Sequence, residues 1–323
     1  MTPSLFDLPL RLGDAVALST LVFEFADGRP INDDVRSRIG GRAAAMEFGA
    51  LRPYLGSLER DPIHPSAYYC CVGGIDDQPL LLRIALAATP SSGLFPKAIL
   101  IGRTHVGNKE LVLNVVPFGP ADHARIKTFS ESLNRNFLPK TYGSKPVIRV
   151  SSDSPATQFA IAADGFRAML KATGQNLACF AAEPGTDLPQ FYYDTVWSMI
   201  RAGWREGYVL QAEPADCTGV RIWAPLFTRF ALRDAALLPA IRDARRSSFD
   251  VELITTAEGL EAGLDLMRGE GSPAQSARLE PLPVDISEVD AVAQRCRAQI
   301  NRRSLHLNRN LDRQGILDAF EGI

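Results

Sequence analysis

The 323-residue sequence lacks the long apolar runs, the CxxC motifs and the basic leader that mark several classes of protein. No apolar run reaches the roughly 20 residues of a membrane-spanning helix, so the sequence does not predict a membrane protein. The N-terminus has no basic stretch followed by an apolar core, so we expect no signal peptide and a cytoplasmic location. The five cysteines include no CxxC pair, so we expect reduced thiols and no structural zinc site of the usual kind.

A strong excess of charge of one sign is also missing. The sequence has 35 basic and 37 acidic residues, a net charge of −2. A chain so nearly neutral has no strong field for a polyanion, so we expect neither a nucleic acid nor a membrane surface as a partner. Only six of the basic residues are lysines. They fall at strand starts, in loops or on helix faces, and not in a strand interior, where a dry pocket would favour Schiff-base chemistry.

The sequence motifs of the common cofactors are absent as well. There is no GxxxxGK[ST] phosphate loop, no GxGxxG after a predicted strand, no HExxH zinc motif and no GxSxG nucleophile turn. These absences argue against a nucleotide cofactor and leave a divalent metal open. His105, Asp122, His123 and Glu213 have side chains that suit zinc, manganese or iron, although no two histidines stand at ligand spacing.

The first 118 residues predict an antiparallel sheet with a helix packed on it. An apolar run at 15–24 is interpreted as a strand, and residues 33–50 as a helix that Asn32 or Asp33 caps. Two pairs of apolar runs separated by turn residues predict two hairpins. Their strands are 67–75 with 80–87, and 97–103 with 110–118.

From residue 119 to 268 helical and strand patterns alternate, which predicts parallel strands joined by helical crossovers. We therefore expect an α/β fold, either an irregular barrel or an open, mostly parallel sheet. Both architectures place ligands at the carboxyl ends of the strands. Whether 214–233 holds a strand stays open. The predicted strands are 146–150, 176–181, 208–213 and 250–254.

The C-terminal part of the chain has a different composition. Residues 269–283 are rich in Gly, Pro and Ser and predict a linker, and 284–323 predict a helical tail. Within it, 295–313 carry six arginines and one acid. Such a segment could contact a nucleic-acid backbone, the weaker alternative, or dock on an acidic patch of a partner subunit. The second would make the protein a homo-oligomer.

The candidate functional residues are the polar side chains at or near the ends of the predicted strands. Carboxylates near a histidine can take and return a proton, and an arginine can hold an anionic substrate. A buried arginine needs a partner, so Arg149, inside a short apolar strand, is the most informative of them. The predicted catalytic residues are His105, His123, Asp153 and Glu213, and the predicted substrate-binding residues are Arg149, Asn108, Gln211 and Lys140.

Each of these residues also has a purely structural interpretation. Asp153 stands where a helix cap belongs, His105 lies in a hairpin turn, and Arg149 could face water from an edge strand. The sequence therefore supports two hypotheses. The first is an enzyme that performs acid–base chemistry of the isomerase, epimerase or lyase type on a small polar metabolite such as a sugar or hydroxy acid. The second is a non-catalytic binding or assembly protein that uses the N-terminal sheet and the Arg-rich tail.

Overall fold

The computed structural model describes residues 8–91, 93–119, 122–143, 145, 147–152, 155–256, 258–269, 275–280 and 299–301. These residues form two compact units. Unit 1 contains the described residues up to Phe137 together with Gly203–Arg205. Unit 2 contains the described residues from Leu138 to Ala202 and from Glu206 onwards. Asp153 and most of the predicted Arg-rich tail lie outside the described residues.

Unit 1 is an antiparallel sheet, called sheet A, with three helices. Its strands run in the spatial order β1-β3-β4-β6-β5, and β2 also pairs with β3. The elements are α1 (Leu12–Ala26), α2 (Asp33–Ala44), β1 (Arg52–Pro53), β2 (Glu59–Arg60), β3 (Ala67–Gly73), β4 (Pro79–Leu86), β5 (Ile99–Val106), β6 (Lys109–Pro117) and α3 (His123–Ser132).

The two predicted hairpins are present in sheet A. Strand β3 pairs antiparallel with β4, and β5 pairs antiparallel with β6. The first turn holds Asp76 and Asp77 at φ values of 55° and 58°, a left-handed conformation that aspartate tolerates better than most residues. Helix α2 begins as predicted, because the backbone N–H of Val35 donates to the Asn32 side chain at 2.9 Å.

The predicted strand at 15–24 is wrong, because these residues belong to helix α1. A short run of apolar residues fits a buried helix as well as a strand. Here the buried positions, among them Ala15, Leu18 and Val22, are spaced three and four residues apart, which is the helical period. That face packs into the apolar core of unit 1 against β3, β4 and β6.

Unit 2 is a seven-stranded parallel sheet, called sheet B, whose strands are joined by helices. Its spatial order, β7-β8-β9-β10-β11-β12-β13, is also the order along the chain. The elements are β7 (Ile148–Val150), α4 (Pro155–Thr173), β8 (Ala178–Ala181), α5 (Leu188–Ala202), β9 (Val209–Ala212), α6 (Val220–Trp223), β10 (Arg229–Leu232), α7 (Leu238–Ala244), β11 (Asp250–Thr255), α8 (Leu260–Gly269), β12 (Gln275–Leu279) and β13 (Gln299–Asn301).

This order decides between the two predicted architectures of the α/β region. A strand order without a reversal has no topological switch point of the doubly wound kind. Because crossovers are right-handed, the connecting helices then fall on one face of the sheet. Sheet B accordingly curls into a half-barrel, which confirms the α/β fold class. Strand β10 also answers the open question about residues 214–233, since that segment ends in a strand.

The expectations for the C-terminal part are wrong where the structure describes it. Residues 275–279, inside the predicted linker, form β12, and residues 299–301, inside the predicted helical tail, form β13. The segment SARLE of 276–280 lacks the apolar run that signals a buried strand. It is buried nonetheless, because Arg278 is neutralised by ion pairs instead of facing water.

The two faces of sheet B differ in chemistry. The outer face is apolar and packs on the helices: Phe180 lies 4.6 Å from Phe159 of α4 between ring centroids, and Gly263 lets α8 approach Leu253 of β11 closely. The inner face of the half-barrel carries the polar and charged residues described next. Across the described ranges, every helix is too short or too polar to pass through a bilayer.

Candidate functional site on the inner face of the half-barrel

Alternation along the strands places charged side chains on the inner face of sheet B. Successive side chains of a strand point to opposite faces, so the neighbours of the apolar outer residues point inward. In barrels of this kind the interior is ordinarily filled by branched apolar side chains. Here it carries a buried, mostly polar set: Arg149, Cys179, Gln211, Arg229, Glu252, Ser276 and Arg278.

Glu252 is the centre of an ion cluster that crosses the half-barrel. Its carboxylate lies 3.3 Å from Nη1 of Arg149 and 3.3 Å from Nη2 of Arg229. Arg149 is on β7 and Glu252 on β11, four strands apart, which in a flat sheet would separate their backbones by about 19 Å. Contact between the two side chains therefore requires the curl of the sheet, and the ion pair joins opposite walls of the half-barrel.

A second carboxylate, Glu213, lies at the carboxyl end of β9. Its Oε2 accepts from Arg278 at 2.7 Å, and its Oε1 lies 2.9 Å from Nη2 of Arg233. The same Nη2 atom of Arg233 lies 2.8 Å from Oε2 of Glu280. On the same edge of the sheet, the Ser151 hydroxyl donates to Glu183 at 3.0 Å.

Glu213 also lines a cleft of about 320 Å³ at this edge. The walls of the cleft come from the loops that follow β8 and β9, with Leu188, Ile222 and Trp223 as the large apolar side chains. The side chain of Glu213 is 7 % exposed. A buried carboxylate fixed by two arginines therefore opens onto a space large enough for a small molecule.

Several polar atoms of the inner face have no hydrogen-bond partner among the described residues. They are both atoms of the Gln211 amide, Nε and Nη1 of Arg229, and Nε of Arg149 and of Arg278. Gln211 is fully buried and Arg229 is 2 % exposed. Buried polar groups in folded proteins are nearly always hydrogen-bonded, so each of these atoms calls for a partner that the described residues do not supply. The same holds for Nε of Arg60, Arg83 and Arg205 in unit 1.

The amino end of the half-barrel is held by the chain segment that precedes β7. The backbone N–H groups of Tyr142 and Gly143 both donate to Oδ2 of Asp250, at 3.0 and 2.9 Å. The backbone N–H of Lys140 donates to the carbonyl of Tyr208 at 2.7 Å, just before β9 begins. These bonds tie the segment to the amino end of the sheet.

Burial changes the acid–base properties of three groups at this site. It lowers the pKa of Arg149, a change that Glu252 opposes. It raises the pKa of the Cys179 thiol to about 11, although Arg229 and Arg149 lower it. It also raises the pKa of Tyr142 to about 12. Cys179 and Tyr142 are therefore neutral near pH 7, and the charges of the inner face are those of the arginines and carboxylates.

Three of the predicted site residues are brought together on sheet B. Arg149, Gln211 and Glu213 all belong to its inner face or carboxyl end. Arg149 lies on β7, at an edge of sheet B, as its alternative interpretation supposed. It is 6 % exposed and paired with Glu252, so the part of that interpretation in which it faces water is wrong. Their roles in binding and catalysis stay predictions. Asp153, also predicted to be catalytic, lies outside the described residues.

The other predicted residues are not at this edge. These residues meet the others only if the strands they follow are parallel neighbours, but β5 and β6 pair antiparallel in sheet A of unit 1, as the predicted hairpin requires. His105, expected in a turn, lies in β5 as the register partner of Glu110. Asn108 lies in the turn between β5 and β6, and His123 begins α3. Lys140 is in unit 2 but at the amino end of β9, away from the carboxyl end where a ligand was expected.

The four proposed metal ligands are divided between the two units as well. His105, Asp122 and His123 belong to unit 1 and Glu213 to unit 2. Within the described ranges no group of three or more His, Cys, Asp or Glu side chains converges in the way a metal site requires. The structure thus gives no geometric support to the metal site considered from the sequence.

Sequence reasoning missed Arg229, Glu252 and Arg278. The signal was present as charged residues two or four positions apart on one face of short segments. These segments are RFALR (229–233), DVELI (250–254) and SARLE (276–280). In an amphipathic surface strand the same alternation means a solvated face. The sequence pattern alone does not distinguish the two cases. The curl of sheet B, which buries the charged face as well, makes the difference.

Comparison with solved structures finds this fold in the fructuronate-tagaturonate epimerase UxaE from Cohnella laeviribosi. Its native crystal structure has a TM-score of 0.50 and 13 % identity over 82 % of this chain and 69 % of that chain. A complex of the same enzyme with two glycerol molecules also has a TM-score of 0.50 and 13 % identity, over 83 % and 69 % of the two chains. No protein-family model and no curated protein matches the chain. A likeness at this identity shows the fold, which is thus one that an enzyme uses.

Proposed function

We propose that this protein is an isomerase-type enzyme that acts on a small polar metabolite at the carboxyl end of the half-barrel. The observation that carries the proposal is Glu213, a buried carboxylate that opens onto a cleft and is fixed by Arg278 and Arg233. Sites at the carboxyl ends of parallel barrel strands are where enzymes of this architecture hold their substrates. A fold alone does not define a reaction, so the proposal depends on this carboxylate.

The proposed chemistry is proton transfer at a substrate carbon next to a carbonyl group. Glu213 takes the proton from that carbon, and the electron pair moves onto the carbonyl oxygen as an enolate. A water molecule on the opposite face then returns a proton to the carbon, and the proton on Glu213 passes to the hydroxide that is left. The guanidinium groups of Arg278 and Arg233 stabilise negative charge near the reacting atoms. The structural neighbour is named as a fructuronate-tagaturonate epimerase, and those two compounds guide the choice of the first panel.

Incubation in D₂O with a panel of sugar acids and keto-sugar acids tests this proposal. An isomerase that works through proton exchange introduces deuterium at the reacting carbon, which NMR detects. We expect Glu213→Gln to lower the exchange rate by at least 100-fold, since the amide cannot take the proton. The matched control is Glu110→Gln, which removes an exposed carboxylate of the β5–β6 hairpin. Exchange that persists in Glu213→Gln, or no exchange with any member of the panel, contradicts the proposal.

The alternative hypothesis of a binding or assembly protein rests on the N-terminal sheet and on the tail at 295–313. Almost all of that tail lies outside the described residues, so oligomer formation through it stays a prediction. The same variants separate the two hypotheses, because an assembly protein catalyses no deuterium exchange that Glu213→Gln could lower.

A further inference from the structure

The charged residues that line the cleft beside Glu213 are all acidic within the described part of the chain. They are Glu213 itself and Asp216, which follow β9, and Asp187 in the loop after β8. No lysine, arginine or histidine of the described ranges lines the cleft. A ligand in this space therefore meets carboxylates from both loops and no basic lining residue.

The two arginines that hold Glu213 are already balanced by carboxylates. Arg233 lies 2.9 Å from Glu213 and 2.8 Å from Glu280. Arg278 lies 2.7 Å and 3.4 Å from the same two residues. Two carboxylates thus offset two guanidinium groups and leave no positive charge over for a ligand. Arg221 of α6, the helix that supplies part of the wall, is exposed and does not itself line the cleft.

The inner face behind the cleft is balanced as well. Arg149 and Arg229 both contact Glu252, and Asp250 is the register partner of Arg229 on β11. Two guanidinium groups again meet two carboxylates, so the inner face adds no net positive charge at the cleft.

Asp187 and Asp216 have only neutral hydrogen-bond donors among the described residues. The backbone N–H of Gln190 donates to Asp187 at 3.1 Å, and that of Thr218 donates to Asp216 at 2.6 Å. Hydrogen bonds from the backbone and the side chain of Thr218 lower the pKa of Asp216, so this carboxylate is charged at neutral pH. Both aspartates are exposed. The cleft therefore has two negative charges that no described cation offsets.

We propose that Asp187 and Asp216 make the site selective for sugars without a negative charge and against sugar acids. Hydroxyl groups donate to carboxylates, so a neutral sugar finds acceptors in the cleft. The carboxylate of a sugar acid instead meets like charges. The apolar part of the wall, with Ile222 and Trp223, suits the C–H faces of a sugar. This deepens the proposed function, on which it rests, by naming the substrate class of the same site.

Two matched pairs of sugars test the proposal on the full-length protein. D-fructose is paired with D-fructuronate and D-tagatose with D-tagaturonate, so that within each pair a terminal CH₂OH group replaces a carboxylate. Isothermal titration at low salt measures the four dissociation constants. We expect each neutral sugar that binds to do so at least tenfold more tightly than its acid, which leaves the acids usable in exchange experiments. Acids that bind as tightly as their neutral partners, or no binding by any of the four, overturn the proposal.

A double variant, Asp187→Asn with Asp216→Asn, assigns the selectivity to these two residues. Asparagine removes the charge but keeps an oxygen that accepts from the backbone N–H, so the local structure is retained. We expect the affinity for the acid to rise at least fivefold and that for the neutral sugar to change less than twofold. The matched control is Asp234→Asn, which changes an exposed carboxylate that follows β10, caps a short helix and does not line the cleft. It should keep the wild-type preference.

Salt separates a role of charge from a structural role of the two aspartates. Because salt screens exposed charges, the preference for the neutral sugar should narrow in the wild type as the NaCl concentration rises. It should not change with salt in the double variant. A double variant that keeps the wild-type preference, or a wild-type preference that is independent of salt, overturns the proposal.

The two proposals fail separately. If the neutral sugars bind more tightly through Asp187 and Asp216 but no sugar exchanges deuterium, the charge selectivity stands and the isomerase proposal fails. If sugar acids exchange deuterium as fast as their neutral partners in both the wild type and the double variant, the isomerase proposal stands and the charge selectivity fails.

Discussion

Sheet A and sheet B both bury the side chains of their central strands, but they do so with different chemistry. In sheet A, β3 is buried along its whole length, and the face towards α1 and α2 is apolar. Its buried Arg83 donates to the neutral oxygens of Pro90 and Asn114. In sheet B the outer face is apolar too, whereas the inner face holds arginines and carboxylates that neutralise one another across the half-barrel.

The difference matters because the two kinds of interior have different energetic consequences. An apolar side chain gains free energy simply by leaving water. In a buried ion pair, the attraction between the charges must first offset the free-energy cost of removing both from water. An apolar replacement of the same volume is often as stable or more stable. Gains from apolar burial therefore account for the interior of sheet A more directly than for the inner face of sheet B.

The largest expected effect comes from removing the central carboxylate of sheet B. Glu252→Ala leaves Arg149 and Arg229 as buried cations without their partner, which we expect to lower the free energy of unfolding by about 4 kcal/mol. Urea denaturation at pH 7 measures this. The triple variant Arg149→Met/Arg229→Met/Glu252→Met is the control, and it should recover to within about 1 kcal/mol of the wild type. A triple variant as unstable as the single one would show that the ions hold the half-barrel together.

Truncation of an apolar side chain in sheet A should lower the free energy of unfolding somewhat less than Glu252→Ala does. Leu82 is fully buried in the core of unit 1, and Leu82→Ala removes apolar surface and leaves a cavity, so we expect a loss of about 3 kcal/mol. Leu210→Ala, on the outer face of β9, should behave in the same way, since that face is apolar as well. A much smaller loss at Leu210 would mean that the outer face of sheet B differs from sheet A, and the comparison would have to be revised.

The sequence predicted sheet A better than it predicted sheet B, for a physical reason. Hairpins are local, and the turn residues around Asp76 and Gly107 define their register. The half-barrel depends on contacts between distant segments: Arg149 meets Glu252 across 103 positions of the sequence. Arg149, Gln211 and Glu213 were found because each follows or lies within a recognisable strand. Arg278 was missed because β12 has too few apolar residues to be recognised as a strand.

Cysteine offers a way to probe both interiors with the same group. Burial raises the pKa of Cys70 in sheet A to about 12, and that of Cys179 in sheet B to about 11 in spite of Arg229 and Arg149. The folded state therefore keeps a proton that the unfolded state releases, so stability falls as the pH rises above about 9. Between pH 9 and 10.5 we expect each thiol to account for a loss of about 2 kcal/mol.

Urea denaturation of Cys70→Ala and Cys179→Ala at pH 8, 9 and 10.5 measures these slopes. Each variant should lose less stability than the wild type over this range, by the contribution of its own thiol. If Cys179→Ala keeps the wild-type slope while Cys70→Ala does not, the arginine cluster outweighs burial at Cys179. The inner face of sheet B would then be a more strongly anion-attracting environment than its ion pairs alone indicate.

The smallest expected effect concerns local structure, which should not depend on the chemistry of either interior. Asn32 accepts from the backbone N–H of Val35 at the start of α2, and Asn32→Ala should cost about 1 kcal/mol because that donor loses its partner. Asp187 plays the same part for α5 in unit 2, where the N–H of Gln190 donates to it at 3.1 Å. Asp187→Ala should therefore cost a similar amount in urea denaturation. Equal losses would locate the difference between the two units in their interiors, whereas a much larger loss for Asp187, which also lines the cleft beside Glu213, would show that the edge of the site depends on that cap.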